Sequence, residues 1–140
     1  MKFQKIKYGR AFIGKFDHNS EAVSELKKFL DNKKISSGIF TIIGAVKNAK
    51  IVFYDQNKTE YLEKNFKEPL EIVSCSGNIA KKDNQTIIHA HIALSRKDGS
   101  MIGGHLIEMG IFAGEFYIRE FKNKINRKYD EITGLNLFDF

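Results

Sequence analysis

Tryptophan is absent from this chain of 140 residues, and cysteine occurs once. A lone Cys75 excludes an intramolecular disulfide and points to a reducing compartment. Flanked by Ser74 and Ser76 in a strand-like run, it reads as a small packing residue rather than a nucleophile. No stretch approaches the roughly twenty apolar residues that span a membrane, and Met1-Lys2-Phe3-Gln4-Lys5 leads into no apolar segment long enough for a signal peptide. A soluble, cytoplasmic protein with no membrane partner is expected. Also missing are a glycine-rich phosphate loop, a dinucleotide fingerprint, a Ser-His-Asp context and a cysteine-based zinc motif; Gly103-Gly104 fits none of them. There is no internal repeat and no low-complexity linker.

A chain of this length is near the commonest size of a single domain and buries about two thirds of its unfolded surface, so residues 1–140 are expected to form one domain. Twelve phenylalanines suggest a core packed by rings. The net charge of +6 permits attraction to nucleic acid or to an acidic partner. Most basic pairs, such as Lys27-Lys28, Lys33-Lys34 and Lys81-Lys82, read as solvated faces. Only Lys122, Lys124, Arg127 and Lys128, with Tyr129 beside them as a stacking group, are dense enough to contact phosphates.

The segment from Phe3 to Phe16 reads as one bent strand or two short ones, with bends at Gly9 and Gly14. Asn19 or Ser20 is placed to cap a helix running to about Asn32, because Ala22, Val23, Leu26, Phe29 and Leu30 recur at helical spacing. Strands are expected at Ile35 to Ala45, Ala49 to Asp55, Leu70 to Ile79 and Glu115 to Phe121, with a polar connection from Gln56 to Pro69 that has room for a short turn of helix. The last residues, Leu137, Phe138 and Phe140 among them, are too apolar for a free end and should be docked.

Three of the four histidines gather between Thr86 and Leu106. Ile88, Ala90, Ile92 and Leu94 alternate with His89, His91 and Ser95, which describes a strand with one apolar face and one histidine face. Lys97-Asp98-Gly99 supplies turn chemistry, and a second apolar pattern from Met101 to Glu108 completes an antiparallel hairpin. A two-residue Asp98-Gly99 loop would set Ile92 opposite His105 and turn the third imidazole away. A three-residue loop, with Gly99 left-handed, sets His91 opposite His105 and gathers all three on one face. The second register also aligns Leu94 with Ile102 and Ala90 with Leu106, so it is favoured; a bulge at Gly103-Gly104 would still shift the parity.

Three imidazoles converging from adjacent strands fill three corners of a tetrahedron and leave the fourth for water or a ligand, which suits zinc. The alternative is the ordinary role of sheet histidines, bonded to carbonyls or a carboxylate. Behind the ligands, or bound to whatever takes the fourth position, Glu108, Glu115 and Arg10 are the candidates.

The run H-A-H-I-A-L-S-R-K-D-G-S-M-I-G-G-H-L from His89 to Leu106 strongly resembles the plant and prokaryote conserved (PPC) domain, with G-G-H-L its most specific part. Arg10, S-G-x-F-x-x-I-G-A-V from Ser37 to Val46, E-I-V-S-C-S-G-N-I from Glu71 to Ile79, Glu115 and R-K-Y-D-E-I-T-G-L from Arg127 to Leu135 extend the resemblance over nearly the whole chain. It implies an α/β (α+β) fold with a strongly bent, mostly antiparallel sheet and one main helix, a homotrimer, and a histidine cluster suited to zinc. The resemblance also implies DNA binding, since plant members carry an AT-hook. This chain lacks that element; its closest echo is Tyr8-Gly9-Arg10.

Three functions follow as expectations. The first is a homotrimeric regulatory or binding module holding zinc at His89, His91 and His105. The second is a zinc-dependent enzyme, or small-ligand binder, using the open coordination position, with Glu108 or Glu115 as proton acceptor. The third is direct DNA contact through Lys122, Lys124, Arg127 and Lys128. Binding is favoured over turnover.

Overall fold

The structure, a computed structural model, describes residues 1–140. Its elements are β1 (Tyr8–Lys15), α1 (Ala22–Lys33), β2 (Gly38–Asp55), β3 (Glu60–Phe66), β4 (Leu70–Lys82), β5 (Gln85–Ser95), β6 (Met101–Phe121), β7 (Arg127–Asp130) and β8 (Leu135–Phe138). Strand dominates because β-branched and aromatic residues alternate with polar ones along most of the chain. In β2, for example, Phe40 and Ile42 point inward while Ile39, Thr41 and Ile43 point out.

The main sheet runs β1-β6-β5-β4-β2-β3, every pair antiparallel, and β6 also pairs with β2. β2, β4, β5 and β6 therefore close into a ring, the extreme form of a bent sheet. Bending is local: the β2–β6 register slips at Ala45/Val46, Val46/Asn48 and Lys50/Ile51. Each slip adds a residue to one strand and increases its twist. At the β2–β4 slip, Gly44 has φ +129°, and a Cβ there would meet the Ala113 carbonyl, so only glycine fits.

Inside the ring, Phe40, Ile42, Cys75, Ile79, Ile92, Leu94, Met109, Ile111 and Ile118 form the core with one face of α1. That face is Ala22, Leu26 and Leu30, and burying each leucine contributes about 2 kcal/mol. Its cap is neither Asn19 nor Ser20. Glu21 accepts hydrogen bonds from Val23 N at 2.9 Å and Ser24 N at 2.7 Å, while Asn19 is left-handed and the Ser20 hydroxyl turns back to Asp17 O. At the other end Lys34, also left-handed, closes the helix.

Four other expectations need correction. Strand pairing begins only at Tyr8. The strands expected at Ile35 to Ala45 and Ala49 to Asp55 are one continuous β2 that starts at Gly38, and Met101 to Phe121 is likewise one strand, because long pairing between β2 and β6 carries both through their bulges. The polar connection after Gln56 contains β3, an edge strand whose side chains are mostly exposed and which therefore shows no apolar alternation. The core is aliphatic rather than ring-packed: only Phe16 and Phe40 among the phenylalanines are buried, and Phe12, Phe29, Phe66 and Phe116 pack around it. No helix is long and apolar enough to cross a membrane.

Candidate metal centre

The β5–β6 hairpin turns on Gly99 at φ +81°, with Arg96 N bonded to Ser100 O and Gly99 N to Arg96 O, both at 2.9 Å. This is the three-residue loop, and it sets Leu94 opposite Ile102 and His91 opposite His105. Gly103 and Gly104 do not shift the parity. A Cβ on Gly103 would lie 2.5 Å from Ile92 O and one on Gly104 2.9 Å from Val52 O, so these glycines let β6 pass closely between β5 and β2.

His89 stands two residues before His91 on the same face. One ligand nitrogen from each of the three rings lies within 4.8 Å of the others. Ring centroids are 5.3 Å apart for His89 and His91, 4.9 Å for His89 and His105, and 5.6 Å for His91 and His105. Between them Ala90 and Ile92 point into the core, so the imidazoles occupy the outer surface of the ring. Burial, followed by Arg127 and the other two imidazoles, lowers His89 to about 4; burial, followed by His91 and Arg127, lowers His105 as well. Both rings are therefore neutral at physiological pH, each with one ring-nitrogen lone pair.

That donor set fits zinc. His89, His91 and His105 would hold such an ion, and three imidazoles would leave a fourth tetrahedral position for water or a ligand.

Over the histidines lies a cleft of about 530 Å³. The β2–β3 hairpin contributes Tyr54 and Tyr61, and the C-terminal β7–β8 hairpin contributes Leu135, Leu137 and Arg127. The tail is held by backbone pairing in the β7–β8 hairpin, but Leu137, Phe138 and Phe140, expected to be docked, remain about 40% exposed. Arg127 donates Nη1 to Asn136 O at 2.6 Å and Nη2 to Asn78 Oδ1 at 2.8 Å, and its Nη2 is 2.9 Å from His89 Nδ1. A guanidinium only donates, so Nδ1 accepts. Phe138 lies against the Arg127 plane, with 4.6 Å from guanidinium carbon to ring centre. Arg127 Nε and Asn136 Oδ1 are buried without partners.

Arg127 stands apart from Lys122, Lys124 and Lys128, with which the sequence grouped it in a phosphate-contact patch. Those three lysines are exposed, whereas Arg127 turns inward. Only the tertiary fold brings it to Asn78 and His89, so no local signal could have found it. The expected supporting residues also lie elsewhere. Arg10 is bonded to Glu120 and to Lys33 O. Glu115 pairs in register with Lys15 and Ile43, ten residues along β6 from His105, or about 33 Å of strand. Glu108 is exposed opposite Lys50. None of the three lines the cleft. The fourth histidine, His18, is exposed and lies 2.7 Å from Phe112 O through Nδ1, away from the cluster.

The family model of the Plants and Prokaryotes Conserved (PCC) domain matches residues 4–122. No curated protein matches the chain. Among solved structures, a metal-containing protein of Archaeoglobus fulgidus is 38% identical, with all of both chains covered and a TM-score of 0.94. A plant- and prokaryote-conserved (PPC) protein of Pyrococcus horikoshii is 32% identical over 100% of this chain and 98% of its own, TM-score 0.93. A Bacteroides thetaiotaomicron protein described as a "putative DNA binding protein" is 32% identical over 96% and 97%, TM-score 0.89.

Proposed function

The chain belongs to the Plants and Prokaryotes Conserved domain family, and on that premise we propose that it is a cytoplasmic, homotrimeric, zinc-holding module, one domain over residues 1–140, that works by binding rather than by turnover. The observation that carries this reading is the register of the β5–β6 hairpin, with His91 opposite His105 and His89 beside them. Similarity to a metal-containing protein supports it. Zinc is favoured by three imidazole donors with a fourth corner left open; when bound, it supplies an electrophilic position for a ligand.

Binding is favoured over turnover because no carboxylate lines the cleft to accept a proton. Self-association is supported by the outer sheet face, where Ile13, Ile43 and Val73 are 85%, 57% and 55% exposed. The test is elemental analysis of untagged protein, wild type beside His91→Ala, with mass by light scattering on the same sample. About one zinc per chain, lost in the variant, and a mass of three chains are expected; wild type without metal after zinc is supplied would remove the reading.

A second reading, DNA contact, is supported by similarity to the Bacteroides protein and by exposed Lys122, Lys124 and Lys128. It predicts binding to an A·T-rich duplex that weakens steeply with salt, because neutralised phosphates release counterions. A flat salt response, or no complex at low salt, would exclude it.

A further inference from the structure

Arg127 is the one cationic side chain lining the histidine cleft, which contains no Asp or Glu. Its Nη2 holds the lone pair of His89 Nδ1, and its Nε–H is buried without an acceptor. A neutral imidazole has one lone pair. If His89 ligates a metal through Nδ1, that lone pair is withdrawn from Arg127; if it ligates through Nε2, the ring proton must sit on Nδ1. In either case the guanidinium loses His89 as an acceptor, so one Nη2–H is released while Nη2 still bonds Asn78 Oδ1, and Nε–H of the same group is already unpaired.

Nε and Nη2 form one edge of the guanidinium. Arg10 lays the same edge against both carboxylate oxygens of Glu120, at 2.7 and 2.8 Å. The half-buried cleft has no acid of its own, so a dication beside a guanidinium leaves positive charge for an anion to neutralise. Two parallel donors match the two coplanar oxygens of a carboxylate, and Tyr54, Tyr61, Leu135 and Leu137 offer apolar walls.

We infer that the cleft binds a small organic carboxylate, held bidentate by Nε and Nη2 of Arg127 beside the metal-loaded histidines, with its short apolar body against those walls. The inference rests on the metal-binding reading above and adds the ligand class and the residue that selects it. Arg127 has two alternating duties, bonded to His89 without metal and to the ligand with it.

The test loads the protein with cobalt(II), whose visible absorption reports ligation by the histidines, and follows that absorption as butyrate, butyramide or inorganic phosphate is added. Butyrate should shift the spectrum saturably and neutral butyramide should not, a comparison that needs no variant. Arg127→Gln should weaken butyrate about tenfold or more, the loss expected for charged hydrogen bonds. It should also take up cobalt more tightly, since His89 is no longer contested. Arg127→Lys, which keeps the charge but not the fork, should also weaken butyrate. Equal responses to butyrate and butyramide, phosphate binding in preference to butyrate, or unchanged butyrate affinity in Arg127→Gln would each overturn the inference. Cobalt bound with no butyrate response removes the inference alone, whereas no cobalt signal in wild type removes the metal-binding reading and the inference with it.

Discussion

Arg10 joins three elements through one side chain: it sits on β1, bonds Glu120 on β6 and donates to Lys33 O at the end of α1. The hydrogen bond from Arg10 holds the Glu120 carboxyl below its ordinary value. A carboxyl lowered in the native state contributes stability above its unfolded pKa, and the contribution is lost as pH falls through the native one. Stability should therefore decline as pH drops below about 4.3, by a modest amount because the arginine is exposed. Glu120→Gln should have a shallower decline than wild type in urea unfolding measured across that range; identical slopes would show that the pair contributes nothing. Cys75 behaves oppositely, since burial pushes its thiol up to about 12. With almost no thiolate at neutral pH, iodoacetamide should leave it unmodified in native protein and label it in urea.

Elements are joined here by side chains that satisfy backbone at two places. Glu21 caps α1 and also accepts from Met109 N on β6 at 3.1 Å, fixing the helix against the ring. Glu21→Ala leaves three donors without that acceptor and should cost about 2 kcal/mol, the upper end of a cap loss. A urea midpoint unchanged from wild type would show that water replaces the cap. The β5–β6 hairpin is the other decisive element: Gly99 sets its loop, and the loop sets the parity that puts His91 beside His105. β6 continues past the hairpin to pair with β2 and β1, which anchors His105 at its outer end.

At the scale of the whole molecule, closure of β2, β4, β5 and β6 leaves one surface for the core and one facing out. The outward one is partly apolar. Ile39 and Ile43 lie on it, flanked by Arg119 and Glu115 of β6. Their side chains are 44% and 57% exposed, so replacing both with lysine should leave the fold intact while disrupting self-association. Light scattering should report a single-chain mass with an unchanged circular dichroism spectrum. A variant that keeps the wild-type mass would place the subunit contact on another face.

Alternation in Thr86 to Ser95 and the Lys97-Asp98-Gly99 turn were sufficient to locate the histidine face and its register, because a strand's two faces and a hairpin's parity are set by neighbours in the chain. Sequence alone also determined the amphipathic side of α1 and, through the family resemblance, the bent antiparallel architecture. β3 was hidden because an exposed edge strand has no apolar period, and the unity of β2 and β6 was hidden because bulges interrupt the pattern that pairing continues through. Arg127 reaches His89 across 38 positions, and Asn78 reaches Arg127 across 49. Which polar groups meet at such separations is decided by how the sheet closes and where the C-terminal hairpin packs, and so the surroundings of the histidines were visible only in the tertiary structure.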